Sequence, residues 1–441
     1  MRNRVSTQLR RTFSALQVPN FRRFFYGQST SLIGTWMQSI AQSWLVLDLT
    51  HSSTALGAVV AIQTVPFLVL GPYAGVIADR TDKRRLMVAL QSLMGVQAVV
   101  LGVLTVTRAV TFWEVCVLAL ALGLNNTFEN PARQSFVLEM VGTDNVRNAV
   151  SLNSTMVNAA RAVGPAVAGL VIAAAGVGVC FLVNAMSFAA VVYSLVSMDK
   201  CALRPSPPAK RAKGQLRAGF SYVAHEPGLG VPLLMIALVG MLAYEFSVSL
   251  PVLARQSFHG GAETYGFLTA AMGAGAVLGG LVTATRGKTG LRPLSIAATG
   301  FGLAVLLASL SPALSLEYAA LAVVGFASVS LLATGNSTLQ LGSAPSMRGR
   351  VMSLWAVAFM GSTPIGGPAI GWVIAMAGAR VGLGVGAVAA LVAAGAGFFA
   401  LARLRPGPLA RAGAASAASV ASAASAALAE QAPVPSSVQA T

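Results

Sequence analysis

Charge is what this 441-residue sequence has least of: only 10% of its residues are Asp, Glu, Lys or Arg, against about 25% in an ordinary soluble domain. A chain this long with so few charges cannot solvate a globular surface of matching size. Acid is the scarcer sign, 13 Asp and Glu against 30 Lys and Arg, for a formal net charge of +17. Three cysteines, Cys116, Cys180 and Cys201, lie far apart without C-x-x-C spacing, and His51, His225 and His259 are equally scattered. These counts exclude a disulfide framework and offer no metal-ligand cluster, so no metal and no cofactor is expected. No G-x-x-x-x-G-K-[ST] loop occurs, which argues against an ATP-driven pump. No constellation of nucleophile, base and metal ligands marks an enzyme either. The basic N-terminus is not followed by a short apolar stretch with a small-residue cleavage site, so no removable signal peptide is expected.

What the chain has in excess is apolar length, 55% hydrophobic residues and a mean hydropathy of +0.72. Runs long enough to span a bilayer cover Phe24–Leu49, Ala55–Ala78, Leu86–Val106, Phe112–Thr127, Asn148–Ala174 and Val179–Val196. They resume at Val231–Ala254, Tyr265–Thr285, Pro293–Leu310, Leu316–Leu339, Val351–Ala377 and Val381–Leu401. The fold class expected is an all-α membrane protein of two six-helix halves, residues 24–197 and 229–402. A basic segment, 1–23, precedes them, a linker, 198–228, joins them, and an Ala/Ser-rich tail, 403–441, should be mobile. With the N-terminus inside, all but four of the 30 Lys and Arg fall in cytoplasmic segments; Arg108, Arg255 and Arg380 lie outside and Arg161 lies within a span. That asymmetry follows the positive-inside rule. It predicts an inner-membrane protein with both termini cytoplasmic, and it makes the positive charge a topology signal rather than a nucleic-acid surface.

The halves repeat each other. Ser151–Leu152, Gly164–Pro165 and Gly176 recur as Ser353–Leu354, Gly367–Pro368 and Gly378, 202 or 203 positions later. The repeat falls on spans five and eleven, which are equivalent places, as expected of transporters whose halves rock around a central site. Gly164, Pro165 and Gly169, with Gly367, Pro368 and Gly371, are expected to be helix-packing positions.

Between spans two and three the chain reads Gly75-Val-Ile-Ala-Asp79-Arg80-Thr-Asp82-Lys83-Arg84-Arg85. This resembles the signature of the major facilitator superfamily, with Ile77 for the usual Leu and Asp82 for the second Gly. Gly75 would let spans two and eleven approach closely, and Asp79 would accept hydrogen bonds from a helix N-terminus. The resemblance implies that Asp79, with Arg80 and Arg84 as partners and Arg133 in the next loop, latches the halves together on the cytoplasmic side. Gly164-Pro165-Ala-Val-Ala168-Gly169 is similar to the superfamily's antiporter motif, with Ala168 for Gly, and favours export. Pro19-Asn20-Phe21-Arg22, Gly34-Thr35-Trp36-Met37-Gln38 and an Asn130-Pro131-Ala132-Arg133 turn look like the enterobactin-exporter and macrolide-efflux branch.

Polar groups within the spans mark the cavity. Gln28, Ser31, Thr35, Gln38 and Gln42 of span one are spaced 3, 4, 3 and 4 apart and share one helical face. Amides facing lipid lack partners, so this face lines a cavity or contacts another helix. Arg161 lies deep in span five and requires a partner or water. By helical rise it sits roughly 20 Å from the cytoplasmic side and Glu245 roughly 24 Å. The depths point to Glu245 as a proton-responsive carboxylate coupled to Arg161, a static buried ion pair or a water-exposed Glu245 being the alternative. Glu129 is the second coupling candidate. Asn125, Asn126, Asn158, Trp36, Tyr244 and Asn336 complete the expected substrate contacts.

The function expected is secondary active transport by a monomer. It would be proton-coupled export of an amphipathic small molecule, a drug or siderophore, with membrane lipids as its other partners. A metabolite importer on the same fold and a non-transporting sensor or scaffold are the alternatives.

Overall fold

The computed structural model describes residues 13–204, 215–286 and 289–403. The first part of the basic N-terminal segment, much of the linker and nearly all of the tail therefore lie outside the described residues. Every regular element described is helical. This is what a bilayer demands, because it offers no water to satisfy a free peptide group. Spans one to three are Pro19–Thr50, Ser53–Arg80 and Lys83–Val106. Spans four and five form one run, Phe112–Ala175, which breaks at Gly142 (φ 70°, ψ −179°). Span six is Val177–Val196, and a short helix, Gln215–His225, precedes the second half. Spans eight to ten are Ala262–Arg286, Leu291–Leu310 and Leu314–Gly342, and the last is Ala379–Arg403. Among the described residues, ten helices are long and apolar enough to cross a membrane by length and composition. Spans four and five count as one of these, and Pro19–Thr50 is not among them because its Gln, Ser and Thr dilute its hydropathy.

Spans seven and eleven are built in pieces. Span seven runs as Pro227–Leu238, a π-turn at Val239–Ala243, Phe246–Val252 and a second π-turn at Leu253–Ser257. Tyr244 and Glu245 lie between the pieces with non-helical backbone. Span eleven stops at Met360 and restarts at Thr363. Pro364 lies in the first turn of the restarted helix, and the residue before a proline resists helical geometry.

The expected repeat is visible in the backbone. Gly176 and Gly378 close spans five and eleven with nearly the same positive φ, 85° and 89°, a conformation glycine adopts without steric cost.

We call proximal the end of the bundle that carries Arg80 and Lys83, and distal the end that carries His51 and Gly176. The halves meet at the distal end. Spans five and eight touch backbone to backbone: a Cβ on Gly266 would lie 2.6 Å from the Pro165 oxygen, and one on Gly169 3.1 Å from Glu263 Cα. Spans two and eleven do likewise, with Gly57 against Gly367 and Pro368. Ser53 Oγ donates to the Gly371 carbonyl at 2.8 Å. The largest buried apolar cluster crosses both halves, from Met37 and Trp44 to Leu250, Leu268 and Ile374. Toward the proximal end the clusters separate. Phe21, Phe24, Met87, Phe136 and Leu195 belong to the first half alone. Val223, Leu229, Leu339, Val351 and Leu354 belong to the second.

Two sequence expectations are corrected here. Span four continues as helix to Gly142, so Asn130-Pro131-Ala132-Arg133 is not a turn and Arg133 is not on a loop. Nor does Gly75 bring spans two and eleven together: a Cβ there would meet nothing within 4 Å. Their close approach is distal, at Gly57, because that is where the halves are sealed.

Candidate functional site

A cavity of about 480 Å³ lies between the halves at mid-depth. Its first-half wall comes from span one (Trp36, Ser39, Gln42, Ser43), span two (Val59, Gln63, Thr64) and Arg161 of span five. The broken spans supply Tyr244, Glu245 and Phe246, with Phe359, Met360 and Thr363, and span eight adds Tyr265 and Thr269. Of the residues expected to line it, Trp36, Gln42, Arg161, Tyr244 and Glu245 do so. Among the described lining residues, Arg161 and Glu245 are the only ones of the Asp, Glu, Lys and Arg types.

Arg161 and Glu245 share the cavity but form no ion pair, contrary to the simplest reading of their depths. Arg161 Nη2 donates to the Tyr244 hydroxyl at 3.3 Å. Its guanidinium stands over the Trp36 ring, 5.4 Å from the centroid, and 5.9 Å from that of Tyr244. Glu245 is 4% exposed and its Oε1 has no hydrogen-bond partner. The carboxylate lies against the first turn of the restarted span eleven. Oε1 would be 3.1 Å from a Cβ on Gly366, and Oε2 3.7 Å from one on Gly367. Among the described residues no basic side chain pairs with this carboxylate. The two breaks also face each other: Gly240 packs on the Phe359 backbone, and Gly366 on the Met241 carbonyl.

The polar stripe of span one divides. Gln42 Nε2 donates to Gln63 Oε1 at 3.0 Å at the cavity wall. Gln38 turns away from the cavity. It donates to Gln97 at 3.0 Å and accepts from Asn184 at 2.6 Å, which ties span one to spans three and six. Gln28 is buried with Oε1 unpartnered, and the Thr35 hydroxyl bonds to the Ser31 carbonyl. Asn125 and Asn158 bond to carbonyls of their own helices. Gln28, Thr35, Gln38, Asn125, Asn126, Asn158 and Asn336 are absent from the wall of this cavity. A period of 3.6 identifies a shared face but not which neighbour that face meets.

Glu129 is also not at the cavity. It pairs with Arg133 at 3.0 Å, one helical turn away, and accepts from Gln91 Nε2 at 3.3 Å. Arg133 donates further to Asn130 at 2.8 Å.

The proximal motif is disengaged. Among the described residues Asp79 has no hydrogen bond or ion pair, and Arg80 is exposed. Arg84 is not its partner: Nε and Nη2 donate to the Leu195 and Val196 carbonyls at 2.7 Å each, capping span six. Asp82, the departure from the signature, accepts from the Arg85 amide at 3.0 Å and caps span three.

Sequence reasoning missed two ion pairs. Lys83 and Glu139 pair at 2.6 Å, nearly buried, and Asp48 and Arg255 pair at 2.8 Å across the distal seam. A depth comparison like that made for Arg161 would have matched Asp48 with Arg255, since both lie at distal span ends. Gln63 was the findable member of the cavity wall, being an amide in an otherwise apolar stretch.

The sequence matches the profile of a family described as transmembrane secretion effectors over residues 10–427. It is 28% identical over 263 residues to the staphyloferrin A transporter of Staphylococcus aureus, covering 59% of this chain and 66% of that protein. It is 26% identical over 364 residues to the enterobactin exporter EntS of Escherichia coli O1:K1, covering 81% of this chain and 86% of that protein. The first of these alignments, and one to the uncharacterised Bacillus subtilis transporter YfiS at 62% of its length, span just under two thirds of the relative. Among solved structures, a POT family transporter in complex with 5-aminolevulinic acid superposes with a TM-score of 0.70 at 11% identity, over 85% of this chain and 94% of that one. A bacterial homologue of the lysosomal transporter Spinster superposes with 0.69 at 14%, over 88% and 98%.

Proposed function

We propose that this chain, which belongs to the transmembrane secretion effector family of major facilitator transporters, is a secondary active exporter of an amphipathic siderophore, working by alternating access. The observation that carries this reading is the cavity between the halves, sealed distally by the Gly57–Gly367 and Gly169–Glu263 contacts while the proximal clusters stay apart. With the N-terminus cytoplasmic, as the basic residues favour, this arrangement faces inward and is ready to load from the cytoplasm. The siderophore assignment rests on the staphyloferrin A and enterobactin relatives.

Gating and coupling follow from the same state. An unpartnered Asp79 and an uncrowded Gly75 fit a latch that forms only when the proximal ends close, with Arg80 and a released Arg84 within the same motif. Glu245 is the coupling acid of this proposal. It is buried in a break of span seven, touches the restarted span eleven, and shares the cavity with Arg161 and the hydroxyls of Tyr244, Tyr265 and Thr363. Closing the proximal end must change the contacts of both breaks and hence the solvation of the acid, which is how a carboxylate exchanges protons with state.

The test uses a siderophore-producing host stripped of its own exporters. Expression should return siderophore to the medium and clear the intracellular excess. Purified protein in proteoliposomes should move siderophore under an imposed pH gradient, and Glu245→Gln should abolish the dependence on that gradient while the protein still melts normally. An unrelieved intracellular excess with inactive proteoliposomes would remove the siderophore reading. A pH-responsive Glu245→Gln would remove the coupling role.

A further inference from the structure

We propose that Arg161 is an anion subsite, and that the exported molecule carries one negative charge on or beside a planar aromatic group. The inference rests on the export reading and names the chemistry its cavity selects.

A guanidinium has five N–H donors. Among the described residues, the Arg161 side chain makes one hydrogen bond, the 3.3 Å contact to the Tyr244 hydroxyl, and no ion pair. Its other support is the faces of Trp36 and Tyr244. Ring faces stabilise a cation without using its in-plane donors, so those donors stay available to the cavity that Arg161 lines. A neutral hydroxyl at that distance is a weak ligand. A carboxylate, sulfonate or phenolate would make shorter, charge-assisted bonds in its place. Glu245 does not take this position, because it lies against the start of the second piece of span eleven.

The charge count limits the substrate. With Arg161 the one cation among the described lining residues, a single negative charge is balanced and a second has no partner. The aromatic requirement comes from the walls: Trp36, Tyr244, Phe246 and Phe359 all line the cavity, with Tyr244 and Phe359 edge to face at 4.9 Å. The subsite also spans the seam. Trp36 and Arg161 belong to the first half and Tyr244 to the second, and the Arg161 carbonyl is 2.8 Å from a Cβ placed on Gly273 of span eight. An anion that displaces the Tyr244 hydroxyl therefore removes a contact holding the halves together exactly where they must rock apart.

The probes are 8-anilinonaphthalene-1-sulfonate and N-phenyl-1-naphthylamine, which share a ring skeleton and differ by the sulfonate. Each is titrated calorimetrically into wild-type and variant protein in nanodiscs, with empty nanodiscs subtracted. Wild type should prefer the sulfonate. Arg161→Gln should weaken the sulfonate by about ten-fold or more, the scale of one charge-assisted contact, while leaving the uncharged probe within about two-fold. Arg161→Lys should keep part of the preference. Retained binding of the uncharged probe shows that the variant is folded. A wild type without preference, or an Arg161→Gln protein that loses both probes equally or neither, overturns the proposal. The export assay is read separately: sulfonate selectivity without siderophore movement defeats the export reading, and siderophore movement unaffected by Arg161→Gln defeats the subsite.

Discussion

Spans one and seven hold equivalent places in the two halves and are made by opposite means. Span one is a single 32-residue helix whose amides reach into its neighbours through Gln38, Gln97 and Asn184 and through Gln42 and Gln63. Span seven is interrupted by two π-turns and a non-helical step at Tyr244–Glu245. The contrast extends through each half. In the first, the buried acids Glu129 and Glu139 are ion-paired. In the second, both oxygens of Glu317 and one of Glu245 have no hydrogen-bond partner. Glycine packing is tight in both halves: Gly275 and Gly279 of span eight lie against the carbonyls of Ala322 and Phe326, and Gly123 of span four against that of Gln63. The first half is braced by side-chain bonds that fix its geometry. The second is assembled from short rigid pieces with joints between them, which suits the half that holds the proposed coupling acid.

The comparison is broken most severely by removing a brace. Glu139→Ala leaves Lys83, 5% exposed, without its carboxylate. Breaking a buried pair from one side costs about 3–5 kcal/mol, so a large fall in melting temperature is expected in purified protein. The double variant Lys83→Met, Glu139→Leu should recover most of it, since an apolar pair of similar volume is often neutral. A Glu139→Ala protein as stable as wild type would mean that the first half is not held by this pair.

The counterpart in the second half is steric. Gly275→Val would push a side chain into the Ala322 carbonyl, and overpacking of this kind costs about 1–3 kcal/mol. Gly75→Ala, which meets open space in this state, should leave the melting temperature unchanged. It should still slow transport, because the proposed latch must close over that position. Equal melting of the two variants would show that glycine packing does not distinguish the two places.

How much of this was legible beforehand follows the physics of each signal. Hydropathy reports on single helices against a bilayer, so the all-α membrane fold could be read directly. The repeat at Gly176 and Gly378 was legible because a positive φ favours glycine, which adopts it without steric cost. The cavity wall includes Gln42, read from a helical face, and Arg161 and Glu245, read from depth, which are properties of one helix at a time. For Gln38 and Glu129 the same signal stops short, because their observed partners are on other helices or one turn away. The breaks in spans seven and eleven carried a weak signal in Pro251 and Pro364, which does not separate a kinked helix from a restarted one. Gly75 was misjudged because a motif describes a cycle of states and a structure holds one.

A smaller effect tests whether the amide network acts as a brace. Gln38→Leu leaves Gln97 and Asn184 to find other partners, and interhelical hydrogen bonds in membranes average about 0.6 kcal/mol with a maximum near 1.7. A modest loss of stability is expected, with probe binding at the cavity unchanged because Gln38 does not line it. Altered probe affinity would place Gln38 among the substrate contacts after all and return the whole stripe of span one to the cavity.

The smallest energy in the set falls at the distal seam and should have the most visible functional effect. Asp48 and Arg255 are roughly two-fifths exposed, so their pairing contributes at most about 1 kcal/mol and weakens with salt. Asp48→Asn should hardly move the melting temperature. Yet the pair joins span one to the end of span seven, and in the inward-facing arrangement it helps hold the distal ends together. A two-state equilibrium shifts ten-fold for about 1.4 kcal/mol, so a fraction of that is readable as a change of occupancy. A single cysteine introduced at Ser43, on the wall between the cavity and the distal seam, should react faster with a membrane-impermeant thiol reagent added from the distal side in Asp48→Asn than in the wild-type background. High salt should narrow the difference by weakening the wild-type pair. Unchanged labelling would leave the glycine contacts as the distal seal, and the halves would then be held at that end by backbone-to-backbone packing alone.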